Sequence, residues 1–257
     1  QEAYIKATNS DREDMFGTSV AISGDTLAVG AEREDSNQTT ITNGTSASSD
    51  NQQTNSGAVY VYKRTGTSWA QEAYIKAANN DMHDYFGKAS IALSGDTLAV
   101  GSDNEDSNQT TITNGTSASS NDSASNSGAV YVYRRSGTTW AQEAYIKSAN
   151  NEAVDQFGTH VTLDNDTLVV GSLYEDSNQT TITNGTSASD DNSNSNSGAV
   201  YIYRRADNNA WAQEAYIKAA NNYTNDYFGE AIALDNDTLA VGAPYEDSNQ
   251  TTITNGT

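Results

Sequence analysis

The chain has 257 residues, with 34 acidic against 13 basic side chains, a formal charge of −21, no cysteine and one proline. That balance excludes a nucleic-acid partner, because neutralising phosphates takes clustered Lys and Arg and this field repels them. No apolar run approaches the roughly 20 residues of a bilayer span, so no membrane insertion is expected. The absence of cysteine removes both a disulfide framework and a thiolate metal site. Apolar residues make up only 35%, which raises disorder as a description. It fails for the whole chain, because all four Phe, all three Trp and ten of the fifteen Tyr fall at recurring positions, as a repeated packed core requires.

The recurrence has a period of 70 to 71 residues, since Gln-Glu-Ala-Tyr-Ile-Lys begins at Gln1, Gln71, Gln142 and Gln213. Phe-Gly follows at Phe16, Phe86, Phe157 and Phe228, and Trp at Trp69, Trp140 and Trp211. The units are therefore 1–70, 71–141, 142–212 and an incomplete 213–257, one repeat array that reads as an excerpt of a longer chain.

Four short strands are predicted per unit. The first, around Ser19-Val20-Ala21-Ile22, meets the second, Thr26-Leu27-Ala28-Val29-Gly30, across the turn Ser23-Gly24-Asp25. Later copies keep small residues that tolerate positive φ at that turn, as Ser94-Gly95-Asp96, Asp164-Asn165-Asp166 and Asp235-Asn236-Asp237. The third strand, Ala58-Val59-Tyr60-Val61-Tyr62, alternates Val and Tyr, and the fourth runs from Trp69 through Tyr74-Ile75. No stretch holds a 3.6-residue apolar period over three turns. The fold class expected is all-β: a β-propeller-like array of four-stranded antiparallel blades, with an open stacked β-repeat array as the alternative. Seven such blades take about 490 to 500 residues, so a ring of that size needs a longer chain or a dimer.

Phe16-Gly17 followed by Thr-Ser-Val-Ala-Ile, then Leu27-Ala-Val-Gly30-Ala31, then Gly57-Ala-Val-Tyr-Val-Tyr62, resembles the FG-GAP repeat, the blade of integrin α-chain propellers and of many bacterial surface proteins. The last copy is the closest, with Phe228-Gly229 and then Val241-Gly242-Ala243-Pro244. The resemblance implies an extracellular or cell-surface recognition or adhesion module, often supported by calcium. One departure matters. The family's calcium loop sits in the first hairpin, and Ser23-Gly24-Asp25 is too short to wrap an ion.

Acids recur elsewhere instead: Asp14 with Glu34-Asp35, Asp84 with Glu105-Asp106, Asp155 with Glu175-Asp176, and Asp226 with Glu246-Asp247. In an up-and-down blade the loops that hold them emerge on one face, and three carboxylates grouped there repel unless a cation sits among them. Ca2+ is the expected cofactor, since it takes six to eight oxygens from carboxylates, amides and backbone. The alternative reading leaves Asp before Phe-Gly as a turn cap and Glu-Asp as solvated surface acids.

The segment Ser36-Asn37-Gln38-Thr39-Thr40-Ile41-Thr42-Asn43-Gly44-Thr45 recurs unchanged in all four copies. It carries Asn-x-Thr sequons at Asn37 and Asn43, repeated at Asn108, Asn114, Asn178, Asn184, Asn249 and Asn255. Its Thr and Asn residues also suit an extra hairpin that extends the blade, or an interface. Phe16 and its copies are expected as wedges between blades, and the Trp residues as core. Lys63-Arg64, Arg134-Arg135 and Arg204-Arg205 are expected to meet carboxylates of the adjacent fourth strand, such as Glu72 or Glu143. His83 and His160 occupy different places in their units, and no nucleophile motif, P-loop or zinc spacing appears, so no enzyme is expected. The partners expected are a protein or glycan ligand or, in a filament assembled through shared strands, copies of the chain itself.

Overall fold

A computed structural model describes residues 1–88 and 90–251, and among these every regular element is a strand. The first unit contributes β1 (Phe16–Ser23), β2 (Thr26–Ala31), β3 (Thr42–Asn43), β4 (Ala58–Thr65) and β5 (Ser68–Ile75). The second contributes β6 (Ile91–Ser94), β7 (Thr97–Ser102), β8 (Thr113–Asn114), β9 (Ala129–Ser136) and β10 (Thr139–Ile146). The third contributes β11 (Phe157–Asp164), β12 (Thr167–Ser172), β13 (Ile182–Asn184), β14 (Ala199–Arg205) and β15 (Trp211–Ile217), and the last adds β16 (Ala231–Asp235) and β17 (Thr238–Gly242).

Each complete unit is one antiparallel sheet, ordered β1-β2-β4-β5-β3 in the first case and likewise in the next two. The four predicted strands are all present. The extra piece is a two- or three-residue strand from the long polar loop, laid on the outer edge of the fourth strand, where a full hairpin was one expectation. Ile75 ends the first sheet, so a repeat counted from Gln71 begins inside it. The first hairpins turn through two residues, with Gly24, Gly95, Asn165 and Asn236 all at positive φ as their sequences foretold.

Alternation on the third strand explains the stacking. Val59 and Val61 face the second sheet and join Phe86, Tyr131 and Leu93 in one core. Tyr60 and Tyr62 point the other way, onto Phe16. The next junction repeats the rule, with Val130 and Val132 of one sheet against Phe157, Tyr201 and Tyr203 of the next. A sheet that is apolar on both faces has no solvent side, so it must be sandwiched, and each large side chain fully buried there contributes about 1.5 to 3 kcal/mol.

The Phe-Gly and Val-Gly pairs make the sheets fit. Gly87 sits at φ 80° and turns its carbonyl onto Gly30 of the preceding sheet, where a Cβ would collide with it. Gly101 meets Gly158 in the same way, and Gly171 meets Gly229. Phe86 therefore reaches the neighbouring sheet as a wedge, bridging in parallel to Gly57 through its backbone. The first strands line up along one side of the stack, β1 on β6, β6 on β11 and β11 on β16, as the inner strands of a propeller do. Among the described residues the outer face of the first sheet is left uncovered.

Candidate functional site: acidic loops and the junctions between units

Topology brings the predicted acids together. The loop before β1 and the loop after β2 meet through the Arg33 amide on the Asp14 carbonyl at 3.2 Å, and Asp14, Glu34 and Asp35 feel one another's charge. Asp84 lies likewise near Glu105 and Asp106, and Asp155 near Glu175 and Asp176.

What fills the space among them is an ammonium. Lys76, the last residue of the recurring hexapeptide, places Nζ 2.8 Å from Glu34 Oε2 with both side chains out of solvent. Lys147 does the same to Glu105 at 2.8 Å and Lys218 to Glu175 at 2.6 Å. Each Nζ also donates to a buried serine, Ser56, Ser127 or Ser197, at 2.7 Å. The second oxygen of the glutamate accepts from Asn9, Asn79 or Asn150, and in the later units also from the Tyr145 or Tyr216 hydroxyl.

The aspartates serve backbone. Asp14, Asp84, Asp155 and Asp226 each accept the amide three residues earlier, at 2.7 to 3.2 Å, which is the turn-cap reading. Asp35, Asp106 and Asp176 each accept the amide of an asparagine held at positive φ, Asn55, Asn126 and Asn196, at 2.6 Å. Burial, reinforced by the neighbouring glutamate, pushes the Asp84 and Asp155 carboxyls up to about 8. At the far end Glu246 accepts from Asn221 at 2.8 Å with no lysine facing it among the described residues, and Asp247 is exposed beside it.

This donor set does not fit calcium in the three complete units. The glutamates that sequence reasoning assigned to an ion face a built-in cation, and one oxygen of each aspartate is turned to a backbone N–H group. No group of three His, Cys, Asp or Glu side chains among the described residues is arranged to hold a metal. Lys76 and its copies were the residues missed. Each closes the recurring Gln-Glu-Ala-Tyr-Ile-Lys segment, and a buried amine needs an acid, but spacing along the chain does not say which acid.

Between units a second recurring arrangement appears. Asn43 lies on the rim, and its amide pairs with the Trp140 backbone, Oδ1 accepting the N–H at 2.7 Å and Nδ2 donating to the carbonyl at 3.2 Å. Asn114 clamps Trp211 with the same two distances. Trp140 and Trp211 are buried, and their Nε1 atoms donate to Glu72 and Glu143 of the preceding unit. Of the basic pairs only Arg204 meets its own sheet's fourth strand, at Glu214; Arg135 and Arg205 reach Glu72 and Glu143 of the preceding sheet at 3.3 and 3.4 Å and also the first-hairpin acids Asp96 and Asp166, and Arg64 reaches Asp25 and Glu2.

The unchanged loop segment and the next unit's last strand enclose a cavity at each junction. One, of about 260 Å3, is lined by Thr39, Thr40, Ile41 and Asn43 on one side and by Tyr133, Trp140 and Gln142 on the other. Its copy, of about 320 Å3, has Thr110, Thr111, Ile112 and Asn114 facing Tyr203, Trp211 and Gln213. The Tyr133 and Tyr203 hydroxyls are buried with no protein partner, whereas Tyr62 in the first unit donates to the Lys6 carbonyl at 3.2 Å. Of the sequons, Asn37, Asn108, Asn178 and Asn249 are exposed, Asn43 and Asn114 have their amides engaged by tryptophan backbone, Asn184 is exposed, and Asn255 lies outside the described residues.

Repeated antiparallel sheets of four main strands and a short edge strand, stacked through Phe-Gly wedges with their first strands along a common side, define a propeller-type repeat module. The FG-GAP repeat family model matches residues 1–62, 69–133, 140–187 and 211–256, and the chain belongs to that family. A search among curated proteins finds no match.

Proposed function

We propose that the chain is an extracellular, non-enzymatic binding module that recognises a glycan through the cavities between its units. The observation that carries this reading is the pair of equivalent junction cavities, each walled by the unchanged loop segment and by a tyrosine whose buried hydroxyl has no protein partner. A volume of about 300 Å3 lies at the lower end of small-ligand sites. Ionic groups nearby are neutralised internally, as Lys76 is by Glu34, so a neutral ligand is favoured over an ion. Threonine hydroxyls, an amide pair and the tyrosine hydroxyl suit a polyhydroxylated ring, while Ile41 and Ala78 suit its apolar face.

The test is a glycan array followed by titration calorimetry on its hits, with Tyr133→Phe and Tyr203→Phe. Two equivalent sites are expected, each weakened about tenfold by its own substitution, as the loss of one hydrogen bond of roughly 1.4 kcal/mol implies. Binding that ignores both substitutions overturns the reading.

The exposed apolar face of the first sheet favours a second reading, a subunit that adds further copies of itself. Val20 and Ile22 are each 65% exposed on the outer face of the first sheet, and the rim amide of Asn184 has no tryptophan strand among the described residues to clamp. Sedimentation over a hundredfold concentration range distinguishes the two, since only self-addition makes mass grow with concentration.

A further inference from the structure

Lys76, Glu34 and Asn9 form more than a neutralised charge. The glutamate holds the lysine amine on Oε2 at 2.8 Å and the Asn9 amide nitrogen on Oε1 at 3.0 Å. Asn9 cannot be read the other way round, because its nitrogen also donates to the Ser48 carbonyl at 2.5 Å while the Tyr60 hydroxyl donates to its Oδ1 at 2.5 Å. A buried amine, a half-buried amide with its oxygen on a donor, and a buried carboxylate between amine and amide nitrogen thus meet.

The constellation recurs with the same atoms. Lys147, Glu105, Asn79 and Tyr131 repeat it at 2.8, 2.8 and 2.6 Å, with the Asn79 nitrogen again anchored by a carbonyl, that of Ser119. Lys218, Glu175, Asn150 and Tyr201 repeat it at 2.6, 3.0 and 2.7 Å, with Ser189 as the anchor. Charge neutralisation alone needs neither an asparagine on the same carboxylate nor a hydroxyl on the asparagine oxygen.

We propose that each of these sites forms a covalent amide between the lysine and the asparagine, closing three intramolecular cross-links: Asn9 to Lys76, Asn79 to Lys147 and Asn150 to Lys218. Glu34 Oε2 takes a proton from Lys76 Nζ, and the neutral amine attacks Asn9 Cγ. Negative charge that develops on Oδ1 is held by the Tyr60 hydroxyl, the role of an oxyanion donor in acyl transfer. The Nζ–Cγ bond forms and the Cγ–Nδ2 bond breaks as Glu34 Oε1 returns the proton to Nδ2. The two surplus protons of the lysine ammonium leave with the departing nitrogen as NH4+, the carboxylate ends as it began, and no oxidant or cofactor is consumed. Burial favours the neutral amine and lowers the lysine pKa at all three sites. Each linkage ties the segment ahead of a unit's first strand to the end of its last strand, so it closes the whole sheet on itself. Asn221, which meets Glu246 without a lysine, stays unlinked among the described residues.

Intact mass and peptide mapping of the folded chain decide this. Each linkage removes one ammonia, about 17 Da, and leaves its lysine resistant to trypsin, so three are expected together with joined peptides that contain each Asn and Lys pair. Cyclisation of Gln1 and succinimide formation at Asn43-Gly44 also release ammonia, but neither joins two peptides. Glu105→Gln is expected to abolish the Asn79 to Lys147 peptide and to leave the other two. An unchanged mass, or a mass loss located only at Gln1 or at Asn-Gly sites, overturns the proposal whether or not the variant folds.

Discussion

The junction between the first two sheets and the free face of the first sheet are built from equivalent positions of the repeat, yet only one of them is closed. Ile91 and Leu93 of β6 are 7% and 9% exposed, whereas their counterparts Val20 and Ile22 of β1 are both 65% exposed. Phe86 is fully buried while Phe16 is half-buried, and Trp140 is buried while Trp69 is not. Strand order is the same in both sheets, so a unit's topology does not depend on its neighbour but the burial of its aromatic face does. The sequence of each unit thus specifies a partner as well as a sheet.

The largest expected effect breaks a closed junction. Phe157→Ala removes a fully buried wedge, and we expect a loss of about 3 to 5 kcal/mol in urea unfolding, against a much smaller loss for Phe16→Ala. Leu93→Ala is expected to cost about 2 to 5 kcal/mol, and Ile22→Ala to fall within about 0.5 kcal/mol of the parent. Equal losses at the two positions of either pair would mean that the free face is covered in solution by another molecule.

Acid titration sharpens the same contrast. Asp84 and Asp155 have folded carboxyls pushed up to about 8, while an unfolded aspartate titrates near 3.9. Between those values the folded chain holds protons that the unfolded chain has lost, so stability decreases as pH rises from about 4 to about 8 and is level above that. Asp84→Asn is expected to flatten the decline measured by urea midpoints across that range. Asp14, raised in the same direction but more open to water, is expected to change it less when replaced by Asn.

Much of this was legible in the sequence because it repeats. The Val and Tyr alternation from Ala58 to Tyr62 gave the two-faced sheet, the Gly-Asp and Asn-Asp turns gave the hairpins, and Phe-Gly with Val-Gly gave the wedge. Lys76 was illegible as an acid's partner because its contact with Glu34 joins two loops across the sheet, and spacing along the chain does not encode that crossing. A sum of negative charges therefore looked like a request for calcium. Asn43 was read as a sequon or a loop residue for the same reason, since its tryptophan lies in the following unit.

A lysine-filled site behaves differently from a calcium-filled one, and the difference is measurable. With the Lys76, Lys147 and Lys218 side chains, linked or not, occupying the space beside the glutamates, we expect the thermal midpoint to move by less than about 1 °C between millimolar calcium and excess chelator, because a ligand that does not bind the folded state adds no linkage stabilisation. A rise of several degrees with calcium would place an ion on the remaining aspartate oxygens.

The smallest expected effect belongs to the rim. Asn43→Ala removes both bonds to the Trp140 backbone, but at an exposed edge water replaces them, so we expect a loss of about 1 kcal/mol. Asn184→Ala, at the open end, is expected to cost nothing measurable in the isolated chain. If the two substitutions cost the same, the asparagine acts within its own loop and the clamp adds nothing; if only Asn43 matters, Asn184 is an unfilled half of the same clamp, and a tryptophan-bearing hairpin such as residues 198–218, supplied as a peptide, should protect its amide from exchange.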